Sequence, residues 1–502
     1  MFLSHLLEGV RVTKLFEMQY GRTVVTQDIQ IAEVQYDSRK VRPGDLFVAI
    51  RGIAVDGHLF IDNAIGNGAR VVVLDNDTVR SDYFFLHTGV VKVLVPDTRA
   101  ALAQIAANYF GHPSRRLRLV GLTGTNGKTT TAHLVKSILT AGGEKVGLIG
   151  TIDYQIGSEV FPATHTTPES LELNELFAGM LKAGCTAAAM EVSSHALAQH
   201  RVDGIQFRLG VFTNLTQDHL DYHGTMEEYF EAKKILFDML APDALAVTNA
   251  DDPYGRAIVG GTRARVITYG IAAAADVRLV EKNIAIDGMR LVLSTPGGRR
   301  KVSSTLTGRF NAANILAAYA SGLALGIPES QIEHGIGLLK AVRGRFEQIV
   351  SPAGWTAIVD YAHTPDALEN CLQTIREIQP EGKPGRIITI FGCGGDRDAG
   401  KRPIMGRIAS RMSDVVIVTS DNPRREPPGS IIDQIVAGIG GTAELYTEVD
   451  RRTAIVMGLE RAVAGDVVLV AGKGHETYQI IGDVKSHLDD REEIERFISR
   501  KR

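Results

Sequence analysis

The sequence contains few cysteines and no long apolar run. Its three cysteines, Cys185, Cys371 and Cys393, are far apart and form no C-x-x-C pair. This spacing argues against a disulfide framework or a cysteine-based zinc site and fits a reducing compartment. No apolar run approaches the roughly 18 residues that span a bilayer, and the first residues lack the basic segment of a secretory signal. We therefore expect a cytoplasmic protein without membrane insertion.

Aromatic content and net charge are also low. Aromatic side chains make up 6% of the 502 residues, and the formal net charge is only -3. No basic stripe interleaved with aromatics is present, so we expect no nucleic acid among the partners. The hydrophobic fraction of 44% is ordinary for a globular protein, and the length corresponds to about three domains.

Short apolar runs alternate with helical stretches along most of the chain, which predicts an α/β fold with largely parallel sheets. We place the domains at residues 1–97, 98–345 and 346–502. A helix is predicted between Asp97 and Gly111, and short antiparallel strands are predicted within 270–305. Strand runs of the first two domains lie at 45–50, 70–74, 91–95, 117–122, 187–190 and 209–213. Those of the third domain, which is typical of a Rossmann-like sheet, lie at 356–359, 387–390, 415–418 and 467–470.

One loop has the composition of a phosphate-binding site, between a strand run that ends at Leu122 and a helical stretch. Its residues are Gly124, Thr125, Asn126, Gly127, Lys128, Thr129 and Thr130. Glycines let backbone N–H groups approach anionic oxygens, the lysine balances phosphate charge, a hydroxyl can ligate magnesium, and the helix N-terminus adds its dipole. Leu122 stands where the usual P-loop has glycine, so this is a shorter form. The alternative is a glycine-rich turn with a chance lysine.

This loop closely resembles the ATP loop of the Mur ligases, the amide-forming enzymes of peptidoglycan precursor synthesis, and the resemblance extends over nearly the whole chain. Residues 37–39 and 43–49 look like the family's uridine-binding N-terminal domain. The other similar segments are 166–168, 191–195 and 214–219 in the central domain, 308–314 and 344–347 on the adenosine side, and 360–365 and 392–398 in the C-terminal domain. Their order along the chain makes the resemblance specific.

Within the family, the D-N-P-R string at 421–424 resembles the signature of members that add meso-2,6-diaminopimelate to UDP-N-acetylmuramoyl-L-alanyl-D-glutamate. The resemblance implies that ATP phosphorylates the D-glutamate γ-carboxylate, that the incoming amine attacks the acyl phosphate, and that phosphate leaves. It also implies a uridine-binding α/β domain, a central P-loop ATPase-type parallel sheet with a small antiparallel sheet, and a C-terminal Rossmann-like domain. We expect a monomer that acts on small molecules.

The resemblance also assigns the residues around ATP. It implies that the catalytic residues are Lys128, Lys233 and His219. Besides the residues of the phosphate loop, it implies Asn314, Arg345 and Asp360 as ATP contacts. For Mg2+ it implies the ligands Thr129, Glu191, His219 and Lys233. Glu191 follows an apolar strand run, and α/β sheets bind their ligands at that end of a strand.

Lys233 is the most specific of these assignments. In the family a lysine at this position is carbamylated to N6-carboxylysine, which turns a cation into an anionic oxygen ligand. Two lysines are adjacent here; Phe237, four residues later, selects Lys233, and Lys234 is the fallback. An unmodified lysine on a helix surface is the alternative for either. His219 and His223 form an H-x-x-x-H pair, but the oxygen preference of magnesium and the lack of H-E-x-x-H argue against zinc.

The resemblance implies a binding site for the UDP-sugar-peptide. The complete set is Tyr36, Ser38, His165, Thr166, Thr167, Ser193, Gln199 and Arg201. Ser38 and residues 53–55 correspond to the uridine end, and Arg201 suits a carboxylate or a phosphate. His165 stands where some relatives carry asparagine, which leaves that contact open.

Selection of diaminopimelate over lysine requires a group that binds the distal carboxylate. Arg424 can bind it bidentately, and a buried arginine left unpaired would penalise lysine. The Glu476 carboxylate suits the ammonium on the same distal carbon atom of diaminopimelate. The implied set is Arg397, Asp421, Asn422, Pro423, Arg424, Gly472 and Glu476. The alternative is a proline-rich surface loop with a solvated arginine.

Three other functions explain less of the sequence. Folylpolyglutamate synthase shares the loop form but not the 37–39 or 421–424 segments. A P-loop switch or motor that acts on a macromolecule would hydrolyse ATP without any amino acid. A catalytically inactive relative has no reason to keep the complete set of catalytic and metal-binding residues. Residues 392–395 have the wrong glycine spacing for a dinucleotide loop, so NAD is not expected.

Overall fold

The structure is a computed structural model that describes residues 1–16, 18–19, 22–23, 29–52, 55–379, 382 and 384–500. The chain divides into two compact units. Unit 1 comprises residues 1–121, 145–208 and 239–244, and unit 2 comprises residues 122–144, 209–238 and 245–502. The domain boundaries near residues 97 and 345 stay predictions. Within the described ranges, no helix is both long and apolar enough to cross a bilayer.

The first part of unit 1 is a five-stranded sheet. In spatial order its strands are Lys14–Phe16, Val91–Leu94, Val71–Leu74, Leu46–Val48 and Val34–Gln35. The first strand is antiparallel to its neighbour and the others are parallel. Helices Leu3–Leu6, Ile61–Gly66, Asp82–Thr88 and Thr98–Tyr109 accompany it, with 3-10 turns at Gly57–Phe60 and Pro113–Arg116. A short hairpin pairs Met18–Gln19 with Arg22–Thr23.

The helix Thr98–Tyr109 shows how local sequence sets the limits of an element. The Asp97 carboxylate caps it by accepting from two backbone N–H groups of the first turn. Gly111 follows it with a φ of 68°, a conformation that glycine adopts without strain. Leu102 and Ile105 lie on its buried face. The helix predicted between Asp97 and Gly111 is thus confirmed, as are the strands predicted before it.

The second part of unit 1 carries four strands. In spatial order they are Glu159–Pro162, Asp153–Ile156, Val146–Ile149 and Ala187–Glu191. The last two are parallel and the other pairs are antiparallel. Its helices are Ser170–Lys182 and Ser194–Ala198. Glu191 is the last residue of a fully buried strand, so its carboxylate lies at the strand's carboxyl end, as predicted.

Strand Arg118–Thr123 passes from unit 1 into unit 2 and leads through the phosphate loop into helix Lys128–Ala141. Six further strands follow in unit 2, in the spatial order Leu209–Phe212, Leu245–Asn249, Arg265–Gly270, Val277–Ala285, Gly288–Thr295 and Gly298–Ser304. Neighbours are parallel up to Val277–Ala285 and antiparallel beyond it. This confirms the small antiparallel sheet. The helices here are Leu220–His223, Met226–Asp238, Gly255–Ile258, Arg309–Ala324 and Glu329–Leu338.

The last part of unit 2 is a six-stranded sheet. In spatial order its strands are Glu347–Val350, Thr356–Asp360, Val467–Ala471, Ile387–Phe391, Val415–Val418 and Glu444–Thr447. Only the edge strand Glu347–Val350 is antiparallel to its neighbour. The helices are Pro365–Ile378, Lys401–Met412, Pro428–Val436, Arg451–Arg461 and Asp490–Arg500, and a hairpin pairs Tyr478–Ile481 with Val484–His487. All four strands predicted in this region are present.

Both faces of this last sheet are buried. Ile358 and Leu469 pack into one apolar cluster, whereas Ile388 and Val468 pack into another. Continuous apolar runs are typical of parallel strands that are covered on both faces, and each fully buried aliphatic side chain contributes about 1.5–3 kcal/mol. The strands therefore form a rigid base, and the loops at their carboxyl ends carry the predicted ligand residues of this domain.

Candidate functional site

The phosphate loop packs so closely against its neighbours that two of its positions accept only glycine. Gly124 and Gly127 have φ values of 147° and 86°. A Cβ at Gly124 would lie 1.9 Å from Thr213 Oγ1, and a Cβ at Gly127 would lie 2.3 Å from Asn314 Oδ1. The two glycines of the sequence motif are therefore required by packing as well as by backbone conformation.

Side chains of unit 2 hold the loop in place. The Thr125 N–H donates to the Asn214 carbonyl at 2.8 Å, and the Asn126 N–H donates to Asn214 Oδ1 at 2.9 Å. The Asn126 side-chain amide donates to the Asp366 carboxylate at 2.9 Å, and the Thr213 hydroxyl donates to the Asn126 carbonyl at 2.6 Å. Because these bonds preform the loop, little ordering cost is left for ligand binding.

Lys128 lies folded over this loop. Its Nζ donates to the carbonyl oxygens of Gly124 and Thr125 at 2.8 and 2.9 Å. The ammonium is half-buried and stays beside the loop instead of extending into solvent. Such an ammonium can exchange carbonyl oxygens for phosphate oxygens, which form stronger charge-assisted bonds.

Two predicted ATP contacts lie at the first turn of the helix that follows the loop. Arg345 donates from Nη2 to Thr129 Oγ1 at 3.0 Å, and its Cζ lies 4.6 Å from the centre of the Tyr361 ring. The Thr131 hydroxyl donates to Asn314 Oδ1 at 3.3 Å. Residues that are 183 and 216 positions apart in the sequence therefore meet at this turn.

Asp360, the third predicted ATP contact, ends its strand and is buried. Its Oδ2 accepts from the Phe346 N–H at 2.6 Å. Burial raises the pKa of this carboxyl, although the charge of Arg345 opposes the shift. Phe346 has a φ of 49°, which is unusual for a bulky residue. The carboxylate thus stabilises the strained turn that carries Arg345.

Lys233 is buried beside the phosphate loop, with 1% of its surface exposed. Its Nζ donates to the Gly124 carbonyl at 3.0 Å and lies 4.4 Å from the centre of the Tyr229 ring. It forms no ion pair with any residue in the described ranges. Burial, with repulsion from Lys128, lowers the pKa of this amine well below its usual value. The neutral amine is therefore favoured here.

Lys234, the fallback for Lys233, has different surroundings. It forms an ion pair with Asp238, one turn later on the same helix, at 2.5 Å. Successive helix positions are rotated by about 100°, so only one of two adjacent lysines can face the loop. The structure brings Lys233 to the phosphate loop and leaves Lys234 in an ordinary helix pair.

His219 lies in a strained turn after the strand Leu209–Phe212. Its φ is 55°, a conformation that non-glycine residues adopt rarely and that recurs at functional sites. Its Nε2 lies 3.4 Å from Asp218 Oδ2. Burial would raise the pKa of Asp218, but His363, His219 and Lys401 outweigh it and lower that pKa. These four titratable side chains form one cluster in unit 2.

Most of the predicted UDP-sugar-peptide residues form a single hydrogen-bonded network in unit 1. The Thr167 hydroxyl donates to the Glu191 carbonyl at 2.9 Å and accepts from the Ser193 N–H at 3.0 Å. Arg201 donates from Nη1 to the Thr167 carbonyl at 2.8 Å and from Nη2 to Gln199 Oε1 at 2.9 Å. These four predicted residues thus contact one another within unit 1, and their role as ligand contacts stays a prediction.

Acidic side chains that sequence reasoning missed surround this network. Glu169 forms ion pairs with Arg201 at 3.0 Å and with Arg99 at 3.1 Å. The Tyr36 hydroxyl donates to Glu172 Oε1 at 2.6 Å. Burial, and the hydrogen bond to Glu172, raise the pKa of Tyr36. The two carboxylates thus fix Tyr36 and Arg201, two predicted ligand contacts, within unit 1.

Thr166 connects the same network to the Glu191 carboxylate. The hydroxyls of Thr166 and Thr151 share a hydrogen bond at 3.1 Å. Thr151 in turn donates its N–H to Glu191 Oε1 at 2.8 Å and its hydroxyl to Oε2 at 3.0 Å. Two donors on one carboxylate fix its orientation.

The remaining predicted contacts of unit 1 lie outside this network. Burial, together with repulsion from Arg201, lowers the pKa of His165, so its imidazole is neutral near pH 7. Ser38 is buried, and its carbonyl accepts from the Asn67 side chain at 2.8 Å. Residues 53 and 54, predicted at the uridine end, lie outside the described residues.

Arg424 lies in the loop after strand Val415–Val418 with a φ of 52°. Its backbone pairs with the C-terminal hairpin: its N–H donates to the Ile480 carbonyl at 3.1 Å, and its carbonyl accepts from the Gly482 N–H at 2.7 Å. Nη1 donates to the Gly395 carbonyl at 2.8 Å. Nε and Nη2 have no partner among the described residues, so one edge of the guanidinium is available to a ligand.

Glu476 has one occupied and one available carboxylate oxygen. Its Oε2 accepts from Asn422 Nδ2 at 2.7 Å and from Lys473 Nζ at 3.0 Å. Asn422 Oδ1 accepts from the Ile480 N–H at 3.0 Å. Both ends of the Asn422 side chain are thereby used within the protein.

The other predicted diaminopimelate contacts lie in the same three loops. Gly472 has a φ of 112°, and a Cβ there would lie 2.6 Å from Asp421 Oδ2. A Cβ at Gly395 would lie 1.9 Å from the Pro423 carbonyl. Arg397 is exposed and donates to its neighbour's carbonyl at 3.1 Å. The loops at 392–398, 421–424 and 472–476 therefore form one cluster at the carboxyl edge of the last sheet.

Arg451 holds the starting points of two of these loops, 421–424 and 472–476. Its guanidinium donates to the Ser420 carbonyl at 3.3 Å and to the Ala471 carbonyl at 3.0 Å, directly before the loops begin. It also forms a fully buried ion pair with Asp490, the first residue of the helix Asp490–Arg500, at 2.7 Å. Buried arginines of this kind need every N–H satisfied. No local pattern in the sequence indicates this role.

Three segments of the chain match family descriptions. Residues 30–110 match "Mur ligase family, catalytic domain", residues 122–322 match "Mur ligase middle domain", and residues 344–474 match "Mur ligase, glutamate ligase domain". They follow one another along the chain in the order of the predicted domains.

Named relatives are similar over nearly the whole chain. A Geobacter metallireducens protein named UDP-N-acetylmuramoyl-L-alanyl-D-glutamate--2,6-diaminopimelate ligase is 47% identical over 488 residues, with 93% of this chain and 94% of the relative covered. A Parabacteroides distasonis protein of the same name is 46% identical, with 94% and 95% covered. A solved structure under that name is 31% identical with a TM-score of 0.67, covering 96% of this chain and 97% of the other.

Two more distant solved structures share the fold. A MurF ligase from Thermotoga maritima in complex with ADP has a TM-score of 0.65 at 21% identity, with 95% of this chain and all of the other covered. A Mycobacterium tuberculosis folylpolyglutamate synthase complexed with ADP and AMPPCP has a TM-score of 0.63 at 19% identity, with 75% and 92% covered. The predicted fold class is thus confirmed. With three matching segments and relatives this similar, the chain belongs to the Mur ligase family.

Proposed function

We propose that this protein is an ATP-dependent ligase that joins meso-2,6-diaminopimelate to the D-glutamate γ-carboxylate of UDP-N-acetylmuramoyl-L-alanyl-D-glutamate, a step of peptidoglycan precursor synthesis. The observation that carries the proposal is the similarity over 93% of the chain to a relative with that name. The buried, unpaired state of its three cysteines fits action in the reducing cytoplasm, and we propose that it acts as a monomer.

The first step transfers the γ-phosphoryl group of ATP to the γ-carboxylate. A carboxylate oxygen attacks phosphorus, the bond to the bridging oxygen breaks, and ADP leaves. Both reactants are anions, so the site must supply positive charge. Lys128 and Arg345 do so, because each can move from its present oxygen partners onto phosphate oxygens. Asn314 and Asp360 contact the nucleoside.

Magnesium is the proposed cofactor, and the donor set fits it only after a modification. In the described part of the chain no group of three or more His, Cys, Asp or Glu side chains is arranged to hold a metal ion. Lys233 forms no ion pair with any described residue and is buried beside Lys128, which favours its neutral amine. Attack of this amine on CO2, with release of one proton, gives a carbamate whose single negative charge is shared by two oxygens. Oxygen ligands suit magnesium, which would neutralise triphosphate charge. The proposed ligands are Thr129, Glu191, His219 and carboxylated Lys233.

The second step forms the amide. The amine of diaminopimelate attacks the carbonyl carbon of the acyl phosphate and loses a proton, and phosphate leaves from the tetrahedral intermediate. The titratable cluster around His219 and Asp218 lies in the same unit as the phosphate loop and provides groups that can hold a proton. We propose His219 and Lys233 as catalytic residues with Lys128.

Arg424 and Glu476 account for the choice of amino acid. The distal centre of diaminopimelate carries a carboxylate and an ammonium. The free edge of the Arg424 guanidinium suits the carboxylate, and the available oxygen of Glu476 suits the ammonium. Lysine lacks the distal carboxylate and would leave Arg424 unpaired, which is a penalty and not merely a lost attraction.

The network in unit 1 is the proposed site of the UDP-sugar-peptide. Arg201, Thr167 and Gln199 present donors and acceptors in fixed positions, and Tyr36 and Ser38 lie in the part of the unit that corresponds to the uridine end. The site combines a fixed arginine with hydroxyls, which suits a phosphorylated and carboxylated ligand.

The proposal is tested by measuring phosphate release with ATP, magnesium and the UDP-muramoyl dipeptide. We expect release that depends on diaminopimelate, one phosphate per tripeptide formed, and a rate with lysine lower by orders of magnitude. Chelation of magnesium should stop the reaction. Equal rates with lysine would contradict the assigned amino acid, and full release without any amino acid would favour a P-loop switch or motor.

A further inference from the structure

Lys473 is a fully buried lysine within the proposed diaminopimelate site. Its relative exposure is 0%, although a lysine in a strand-end loop is normally solvated. Gly472 and Gly474 flank it with φ values of 112° and 52°. Glycine adopts such positive-φ conformations without strain, so the backbone on both sides of Lys473 can turn tightly. The loop is thus shaped to keep one ammonium inside the protein.

The buried Lys473 ammonium donates to one carboxylate oxygen of Glu476. Lys473 Nζ donates to Glu476 Oε2 at 3.0 Å and lies 3.4 Å from Asn422 Oδ1. Asn422 Nδ2 donates to the same Oε2 at 2.7 Å. Two donors on Oε2, one of them charged, fix the rotation of the carboxylate about its last bond. Glu476 Oε1 has no partner among the described residues.

We infer that Lys473 is a positioning residue for amino-acid recognition: with Asn422 it occupies Glu476 Oε2 and so directs Oε1 at the distal ammonium of the substrate. Asn422 shares this role, because its Nδ2 donates to Oε2 while its Oδ1 accepts the Ile480 N–H. This inference rests on the proposed function, since it concerns how the same site distinguishes its amino acid.

The arrangement predicts which part of the substrate depends on Lys473. Diaminopimelate and 2-aminopimelate share both carboxylates and the reacting amine, but only diaminopimelate has the distal ammonium. Loss of the Lys473 ammonium frees Glu476 to rotate and should weaken the contact with that ammonium alone. A general disturbance of the loop would instead weaken both amino acids, because both use the distal carboxylate at Arg424.

The test compares Lys473→Met with the wild-type enzyme, using phosphate release with each amino acid in turn. We expect kcat/KM for diaminopimelate to fall by about 10- to 100-fold, the size of a lost charge-assisted contact. The value for 2-aminopimelate should change by less than about threefold, and the KM values for ATP and the UDP-muramoyl dipeptide should stay the same. Lys485→Met is the matched control. Lys485 is exposed, and its Nζ lies 3.8 Å from the centre of the Tyr478 ring, the same ring that Lys473 Nζ approaches at 5.5 Å.

Equal losses with the two amino acids, or no loss, would overturn the inference. If Lys473→Met does not fold, Asn422→Asp gives the same readout, because it keeps the acceptor for Ile480 but replaces the donor to Oε2 with a repelling oxygen. It should also reduce the preference for diaminopimelate over 2-aminopimelate, and an unchanged preference would count against the inference. Failure of the proposed function itself is recognised separately: the wild-type enzyme would then show no phosphate release dependent on diaminopimelate.

Discussion

Replacement of Arg424 by alanine is the most direct test of how the amino acid is recognised. In the structure the Arg424 guanidinium donates from Nη1 to the Gly395 carbonyl, and its Nε and Nη2 are available to a ligand. The proposed ligand contact is therefore a pair of parallel N–H bonds to the distal carboxylate. The backbone of Arg424 stays paired with the hairpin in the variant, because those bonds use only main-chain atoms.

The magnitude follows from the two lost bonds. A hydrogen bond between charged groups contributes about 1.5–3 kcal/mol, so two contribute about 3–6 kcal/mol. Water that enters the vacated space recovers part of this. Since each 1.36 kcal/mol is about a factor of ten, kcat/KM for diaminopimelate should fall by about 100- to 10,000-fold. The KM values for ATP and for the UDP-muramoyl dipeptide should change by less than about twofold.

The assay is steady-state phosphate release, with each substrate varied in turn. Arg425→Ala is the matched control, because Arg425 is the next residue and is exposed; it should behave like the wild-type enzyme. A uniform loss for all three substrates would show that Arg424 supports the fold and not the ligand. A loss of less than about fivefold for diaminopimelate would refute the bidentate contact.

Three further predictions concern other parts of the molecule. Lys233→Ala should abolish turnover, and short carboxylates such as acetate should restore part of it by supplying the missing oxygens. Lys234→Ala, the control, should remain active. Full activity of Lys233→Ala would show that carbamylation of Lys233 is not needed for catalysis. The hydrogen bond to Asp203 raises the pKa of His200, so this pair should stabilise the protein fully below pH about 6.5 and lose that contribution as pH rises through the higher folded pKa. His200→Gln should remove this slope from Tm measured against pH, an effect below about 1 kcal/mol because the pair is partly exposed. The three cysteines are buried, and burial raises the pKa of Cys393 to about 12. A thiol reagent should therefore label none of them until the protein is denatured. Rapid labelling of the native protein would contradict their buried positions.

Much of the fold could be predicted from the sequence because its signals are local. The strand run at 467–470 is apolar at every position, as expected of a strand buried on both faces, and the observed strand is Val467–Ala471. The helix after Asp97 is delimited by a capping carboxylate and a terminal glycine. The phosphate loop was recognisable because glycines, a lysine and a hydroxyl are required in one order within seven residues.

The missed residues act through partners that are distant in sequence. Glu169 matters because it meets Arg99, 70 positions earlier, and Arg201; nothing local distinguishes it from a solvated glutamate. Lys473 lies between Gly472 and Glu476, which were both assigned, yet composition favours an exposed lysine there. Its burial and its bond to Glu476 in the structure show that it points inward. Periodicity describes which face of an element is buried, but not which side chain a loop turns inward.

The anchoring of two loops by Arg451 bears on how such a site can change its substrate during evolution. One guanidinium holds the last residues before both loops and is itself tied to the helix Asp490–Arg500. The starting points of both loops are thus held by the same side chain, so a substitution at Arg424 or Glu476 would leave those starting points in place. A different amino acid substrate can therefore be accommodated by exchanging side chains on the loops 421–424 and 472–476. Loss of Arg451 would instead disturb both loops at once.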